Sequence, residues 1–293
     1  MNYRFFITFL LSLCVTGLSG QNLSVCWDEL TSPEFVTAVE KAEGVCIIPI
    51  GVIEKHGAHL PLGTDVFTAR EMSIRAALNE YCLVFPYYYV GQIFEAKQQP
   101  GTIAYSHDLL FKMLDETCRE ISRNGIKKII IVNGHGGNNY FLKYFCQIQL
   151  AEPRDYAVYL FQDETLPETL EKLNALRSST TGGHADEVET SSMMVVRPDL
   201  VKVERAGDES GVDMSRLNIP NGYTGIWWYA RYPNHYAGDA RGAKPEIGEI
   251  SFGESIYLLT NLIKAVKEDT TTHKLQNEFF EESLKPLETK VKL

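Results

Sequence analysis

The sequence predicts an α/β domain built on a mostly parallel sheet, and three observations carry that reading. Residues 45–52, and within 127–132 the unbroken Ile129-Ile130-Ile131-Val132, are apolar runs without polar alternation, the pattern of strands covered on both faces. The second run leads through a glycine-rich turn, 133–139, into a helical pattern, which makes one half of a βαβ unit. Residues 106–124 set Leu110, Met113, Leu114, Cys118 and Ile121 on one helical face, with Gly125 as the stop.

Taken in order, residues 1–20 carry one charge, Arg4, then an apolar run closing on small residues, the layout of a secretory signal peptide. Residues 27–40 open on Thr31-Ser32-Pro33 and continue as a short helix. The strand 45–52 contains Pro49 near its end, and the polar stretch 51–65 leaves its carboxyl end. A helix is expected over 67–78 and an aromatic strand over 82–90. Residues 91–105 read as a loop through Gln98-Gln99-Pro100-Gly101-Thr102. After the βαβ half, a helix spans 140–151, a strand 156–161 and a helix 166–177. Residues 180–192 form a loop entering a helix that Pro198 ends. Residues 205–244 lose periodicity and are rich in Gly, Asn, Pro and aromatics, as in a functional cover or a flexible insertion. An amphipathic helix over 248–267 closes the domain, and the charged tail beyond it is expected to fray.

Without residues 1–20, about 270 residues remain, enough for a single domain, 21–293, with a large core. The net charge of −10 becomes −11, with no clustered basic face, which argues against nucleic acid as a partner. No stable membrane span is expected after signal cleavage, and the chain is expected to be exported, periplasmic or secreted. Cys26, Cys46, Cys82, Cys118 and Cys146 are scattered in apolar runs and read as buried free thiols.

Chemistry concentrates in three segments. Residues 51–65 hold Glu54, His56, His59 and Asp65 among chain-bending glycines and Pro61, a density of hard and borderline metal ligands unusual for a connecting loop. His135 lies in the second segment, and His184 with Glu189 in the third. A lone histidine beside a glycine is ordinarily a loop residue, and Glu187 with Glu189 is ordinarily a solvated helix face. Two of the three segments follow parallel strands, where open α/β sheets place their sites, and that coincidence favours metal ligation. In extended chain Glu54 and His56 point to one side and reach neighbouring ions, and Asp65 is placed to bridge them. Two divalent ions against Glu54, Asp65 and Glu189 leave about one positive charge, which a hydroxide between them balances. His59 is expected to hydrogen-bond a ligand or the substrate. The bare backbone of Gly136-Gly137-Asn138 at a helix start suits an anion or oxyanion. Trp227 and Trp228 read as packing or as a gate over the pocket.

Glu54-Lys55-His56-Gly57-Ala58-His59-Leu60-Pro61 with Asp65, Asn133-Gly134-His135-Gly136-Gly137-Asn138, and His184-Ala185-Asp186-Glu187-Val188-Glu189-Thr190-Ser191 resemble the signature blocks of the creatininase family, in its Gly-His-Gly-Gly-Asn subgroup. Pro100-Gly101-Thr102-Ile103 and Gly238-Asp239 are similar to further family blocks. The resemblance implies a three-layer αβα fold and a site for two divalent ions per subunit (Zn, Mn or Fe). It also implies hydrolysis of non-peptide or cyclic C–N amide bonds of a small-molecule substrate, and a homo-oligomer, frequently a hexamer. By position it gives Glu54 and His135 to one ion, His56 and Glu189 to the other, Asp65 to both, and proton handling to His184. Members that hydrolyse creatinine carry a glutamate two residues after the second-block histidine, where this chain has Gly137, so a different substrate is expected. The rival readings are a binuclear phosphoesterase, for which basic groups near the motifs are scarce, and a non-catalytic exported metal-binding protein.

Overall fold

The computed structural model describes residues 23–289 and 291, so the signal peptide expected over 1–20 lies outside the described residues. The chain runs through α1 (Ser32–Lys41), β1 (Val45–Ile50), α2 (Thr64–Asn79), β2 (Leu83–Val84), α3 (His107–Arg123), β3 (Lys128–Asn133), α4 (Asn139–Ile148) and β4 (Ala157–Leu160). It continues through α5 (Pro167–Leu176), α6 (Glu187–Val196), α7 (Trp227–Arg231), α8 (Pro245–Glu268) and α9 (Thr272–Ser283). The four strands form one parallel sheet in the order β2-β1-β3-β4.

Strand alternation divides the core into the two outer layers. Cys46, Ile48 and Ile50 of β1 with Ile129 and Ile131 of β3 face α1, α3 and α4, meeting Ala38, Leu114, Cys118 and Phe145. Val45, Ile47, Ile130 and Val132 face the other way, onto Ala76 and Ala77 of α2 and Leu259, Ile263 and Val266 of α8. Every residue of β1 and Ile129–Val132 of β3 are thus buried whichever way they point, which is why these two strands read as unbroken apolar runs. The result is a three-layer αβα fold. Cys26, Cys46, Cys82 and Cys118 are buried free thiols inside it, and Cys146 is a half-buried one.

Four boundaries differ from the sequence reading. α2 begins at Thr64 rather than 67, because the Thr64 hydroxyl donates to the Pro61 carbonyl (2.8 Å) and starts the helix without a polar residue at the Gly63 cap. That change matters, since Asp65 sits in the first turn of a helix and not in a loop. The aromatic strand expected over 82–90 pairs as a strand only at Leu83–Val84, with one further bridge between Ile50 and Tyr88. α8 starts at Pro245, three residues early. The tail folds as α9, because Asp269 accepts from the Thr271 and Thr272 N–H groups (2.7 and 3.1 Å) while Tyr159 donates to its other oxygen (2.8 Å). Among the described residues no helix is long and apolar enough to cross a membrane.

Candidate metal centre

The carboxyl ends of β1 and β3 lie side by side at the sheet's centre, and α2 starts directly above them. Two glycines permit that approach: a Cβ on Gly51 would come within 2.5 Å of the Val66 nitrogen, and one on Gly134 within 2.5 Å of the Asp65 carbonyl oxygen. The first turn of α2 therefore rests on both strand ends and delivers Asp65 between them. Gly134→Ala is expected to cost about 1–3 kcal/mol of stability, as overpacking does, measured by denaturant unfolding.

Asp65 is the meeting point of two groups. Its Oδ1 lies 2.9 Å from His56 Nε2, and its Oδ2 lies 3.3 Å from His135 Nδ1. Glu54 Oε1 is 2.8 Å from the same His135 nitrogen, and Glu189 Oε1 is 3.4 Å from His56 Nε2. Glu54–Asp65–His135 and His56–Asp65–Glu189 each present ligand atoms within 4.8 Å of one another. Glu54 Oε1 and Asp65 Oδ2 are buried without a hydrogen-bond partner, despite the short distances to His135. Atoms this close that are not aligned to bond each other suit side chains converging on a shared cation. Imidazole nitrogen with carboxylate oxygen is a donor set for Zn, Mn or Fe.

Burial alone would push the Glu54 carboxyl up, but His135 above all holds it well below the usual carboxylate range. Burial likewise opposes charge on His56 and His135; Asp65 and Glu189 outweigh it for the first, Glu54 and Asp65 for the second, and both lie well above the ordinary imidazole value. Glu189 is held at about 2, its burial overcome chiefly by His56. Two carboxylates held charged in a buried site, Glu54 and Glu189, are a poor stabilising device and a good cation receptor.

The third segment is bent into place by its own side chains. Asp186 caps α6, accepting from the Val188 and Glu189 N–H groups (both 3.0 Å) and from Gly183 (3.1 Å). The Ala185 N–H donates to Glu189 Oε2, turning that carboxylate toward His56. Glu187 is not a solvated residue; it is buried and binds the Ser178 and Ser179 N–H groups (2.8 Å each). His59 contacts neither Asp65 nor Glu189 through hydrogen bonds. Its Nε2 faces the Ala185 carbonyl (3.1 Å) and the Thr190 hydroxyl (3.0 Å), so it holds the turn that carries Glu189.

His184 sits between His56, whose ring is tilted against it at a centroid distance of 4.3 Å, and His235, which meets it edge-to-face at 4.4 Å. Burial first, and then the neighbouring His56, lower its pKa to about 4. The imidazole is therefore neutral, and because its Nε2 lies 2.8 Å from the Lys55 carbonyl, an acceptor only, the proton sits on Nε2 and the lone pair on Nδ1.

One residue that supports the ligands escaped the sequence reading. His235 is buried and donates from Nε2 to Glu54 Oε2, while its Nδ1 accepts the Trp228 indole N–H (2.9 Å). An indole only donates, so Trp228 fixes the His235 tautomer, and His235 in turn leaves Glu54 Oε1 free to point at His135. His235 adopts a φ of 54°, which is uncommon for a side-chain-bearing residue. The signal available was composition: of seven histidines in the chain, this one alone falls in the aromatic segment 205–244.

Beside the ligands lies a cavity of about 260 Å³, lined by Gly136, Gly137, His184, Trp227 and Trp228 among others. Of the backbone expected to hold an anion there, Asn138 is already committed, its N–H donating to the His135 carbonyl (3.1 Å). Trp227 donates its indole N–H to the Tyr223 hydroxyl (3.2 Å).

Parallel strands ending in a buried nitrogen-and-oxygen ligand cluster, with a cavity against it, define an α/β protein with a metal-centred site. The creatininase family profile, described as creatinine amidohydrolase, matches residues 28–263. The chain belongs to the creatininase family and is a hydrolase of C–N bonds of the amidohydrolase class. It is similar to creatinine amidohydrolase from Pseudomonas putida, 27% identical over 201 residues that cover 63% of this chain and 76% of that protein. It is also similar to the mycofactocin precursor peptide peptidase of Mycobacterium tuberculosis H37Rv, 31% identical over 171 residues that cover 54% of this chain and 61% of that one. Among solved structures, a manganese creatininase matches 84% of this chain and 100% of its own at a TM-score of 0.71 and 22% identity. A mutant creatininase of Zn–Zn type matches 84% and 99% with the same TM-score and identity. At that identity the likeness carries the fold.

Proposed function

We propose that the chain is a binuclear metal-dependent amidohydrolase that opens a non-peptide or cyclic C–N amide bond in a small molecule other than creatinine. The observation that carries the reading is the pair of three-ligand groups sharing Asp65. Glu54 and His135 would hold one ion, His56 and Glu189 the other, and Asp65 both. Two ions so held would supply an activated water and polarise the scissile carbonyl.

The chain's own residues supply the rest. Neutral His184, with its lone pair on Nδ1, accepts a proton first and then delivers it to the leaving nitrogen, so it serves as base before acid. His235 and Trp228 orient Glu54, and His59 fixes the turn bearing Glu189. The 205–244 segment is pinned over the site by the Lys55–Glu209 ion pair (2.7 Å), and Trp227 closes one wall of the cavity. Gly136 and Gly137 also line it, and the space beside Gly136 is open to a substrate, with nothing within 4 Å of a Cβ placed there. We read the protein as exported, through cleavage of residues 1–20 to a single domain over 21–293, and as a homo-oligomer.

The test is metal analysis of purified protein followed by a panel of lactams, cyclic ureas, formamides, short peptides and an aryl phosphate, scored by new amine, ammonia or phosphate. Turnover of a cyclic or non-peptide amide is expected. Cleavage of peptides alone, or of the phosphate ester alone, would overturn the reading.

A further inference from the structure

We propose that Glu95 makes this site select substrates bearing a positive charge, an ammonium, amidinium or guanidinium group close to the scissile amide. The inference rests on the hydrolase reading above and names the substrate class of the same cavity.

The cavity beside the ligand cluster has aromatic walls, Tyr140, Tyr223, Trp227 and Trp228, and among its lining residues one carboxylate, Glu95, and neither lysine nor arginine. It adjoins an outer cavity of about 510 Å³ that shares Gln92, Glu95, Tyr223 and Gly225 and adds Phe94 and Tyr229. Glu95 is again the one charged side chain among the lining residues. A ligand passing from the outer to the inner space meets aromatic faces and a single negative charge. That combination attracts organic cations, through the ring quadrupoles and through charge-assisted hydrogen bonds.

Glu95 is built in rather than adventitious. Gln92 donates from Nε2 to Glu95 Oε2 (2.9 Å) and to the Gly137 carbonyl (3.3 Å). Gln92 is itself held at both ends of its amide system, its N–H donating to Asn138 Oδ1 and its Oε1 accepting from the Phe94 N–H (2.7 Å each). Glu95 Oε1 accepts no hydrogen bond among the described residues, and its nearest ionisable neighbour, His135 Nε2, is 3.9 Å away. A Cβ on Gly137 would lie 2.4 Å from His135 Nε2 and 2.5 Å from that Oε1, so the space a side chain at 137 would take is shared by His135 and Glu95.

Charge points the same way. Glu54, Asp65 and Glu189 belong to the ligand groups and answer the charge of the ions; Glu95 belongs to none of them. No lysine or arginine pairs with it among the described residues, and His135 Nε2 stands off at 3.9 Å, too far for a hydrogen bond, so Oε1 keeps its capacity for a cation on the substrate. A competing role, orienting His135 through its Nε2, would leave affinity indifferent to substrate charge.

The experiment uses the metal-loaded protein and a matched pair of probes, benzamidinium and benzamide, equal in shape and differing in charge. Binding is read by quenching of Trp227 and Trp228 fluorescence and by calorimetry. The unaltered protein is expected to bind benzamidinium about tenfold or more tightly than benzamide, the size of one charged hydrogen bond. Glu95→Gln should erase the difference with metal content unchanged, and Glu95→Asp, which keeps the charge, should retain it. Equal affinities in the unaltered protein, a preference that survives Glu95→Gln, or metal lost in Glu95→Gln would each overturn the proposal. If the hydrolase reading alone fails, the amide panel shows no turnover while the cation preference stands.

Discussion

Asp65→Asn is expected to lower turnover by on the order of 10³-fold or more, with loss of at least one bound ion, since a bridging charge worth several kcal/mol disappears. The asparagine is isosteric, so the helix start above Gly51 and Gly134 is preserved and the fold should melt normally. The argument is geometric: Asp65 reaches the two histidines with separate oxygens, one 2.9 Å from His56 and the other 3.3 Å from His135, whereas Glu54 approaches both through Oε1 alone, at 3.8 and 2.8 Å. No other carboxylate is shared by the Glu54–Asp65–His135 and His56–Asp65–Glu189 groups. Metal analysis beside steady-state kinetics checks both halves of the expectation. Turnover lost with both ions retained would move Asp65 from metal holding to another role.

His235→Ala is expected to weaken metal binding about 10- to 100-fold, the usual penalty for removing the group that orients a ligand. Glu54 Oε2 would lose its donor and the carboxylate would rotate away from the position that aims Oε1 at His135. Trp228→Phe keeps the ring packing and removes only the indole N–H, freeing His235 to change tautomer, so it should show a smaller loss in the same direction. Competition with a metal chelator, read at constant pH, measures both variants. Equal chelator resistance in His235→Ala and the unaltered protein would remove His235 from the account.

Much of this was legible in the sequence for identifiable reasons. The central strands are covered on both faces, so β1 and β3 had to be apolar throughout, and the ligands had to follow them immediately. Hence Glu54, His56, Asp65 and His135 stood out as candidate ligands by their place after the strands, and Glu189 through its block, and the structure brings all five together. The start of α2 was not, because Gly63 caps it without a side-chain bond and Asp65 looks like a loop ligand. His235 and Glu95 were hidden for a different reason. Both lie in aperiodic segments, and their partners, Glu54 and Trp228 for one and Gln92 and the cavity for the other, are set by tertiary folding rather than by spacing. The short pairing of β2 and the existence of α9 depend likewise on contacts such as Tyr159 with Asp269, across the chain.

The central claim is that five residues from three segments hold two ions. Native mass spectrometry of protein stripped with chelator and titrated with Mn²⁺ or Zn²⁺ tests it most directly. Saturation at two ions per chain, falling to one or none in Asp65→Asn, is the predicted result; saturation at a single ion, or an Asp65→Asn protein that still takes two, would contradict it.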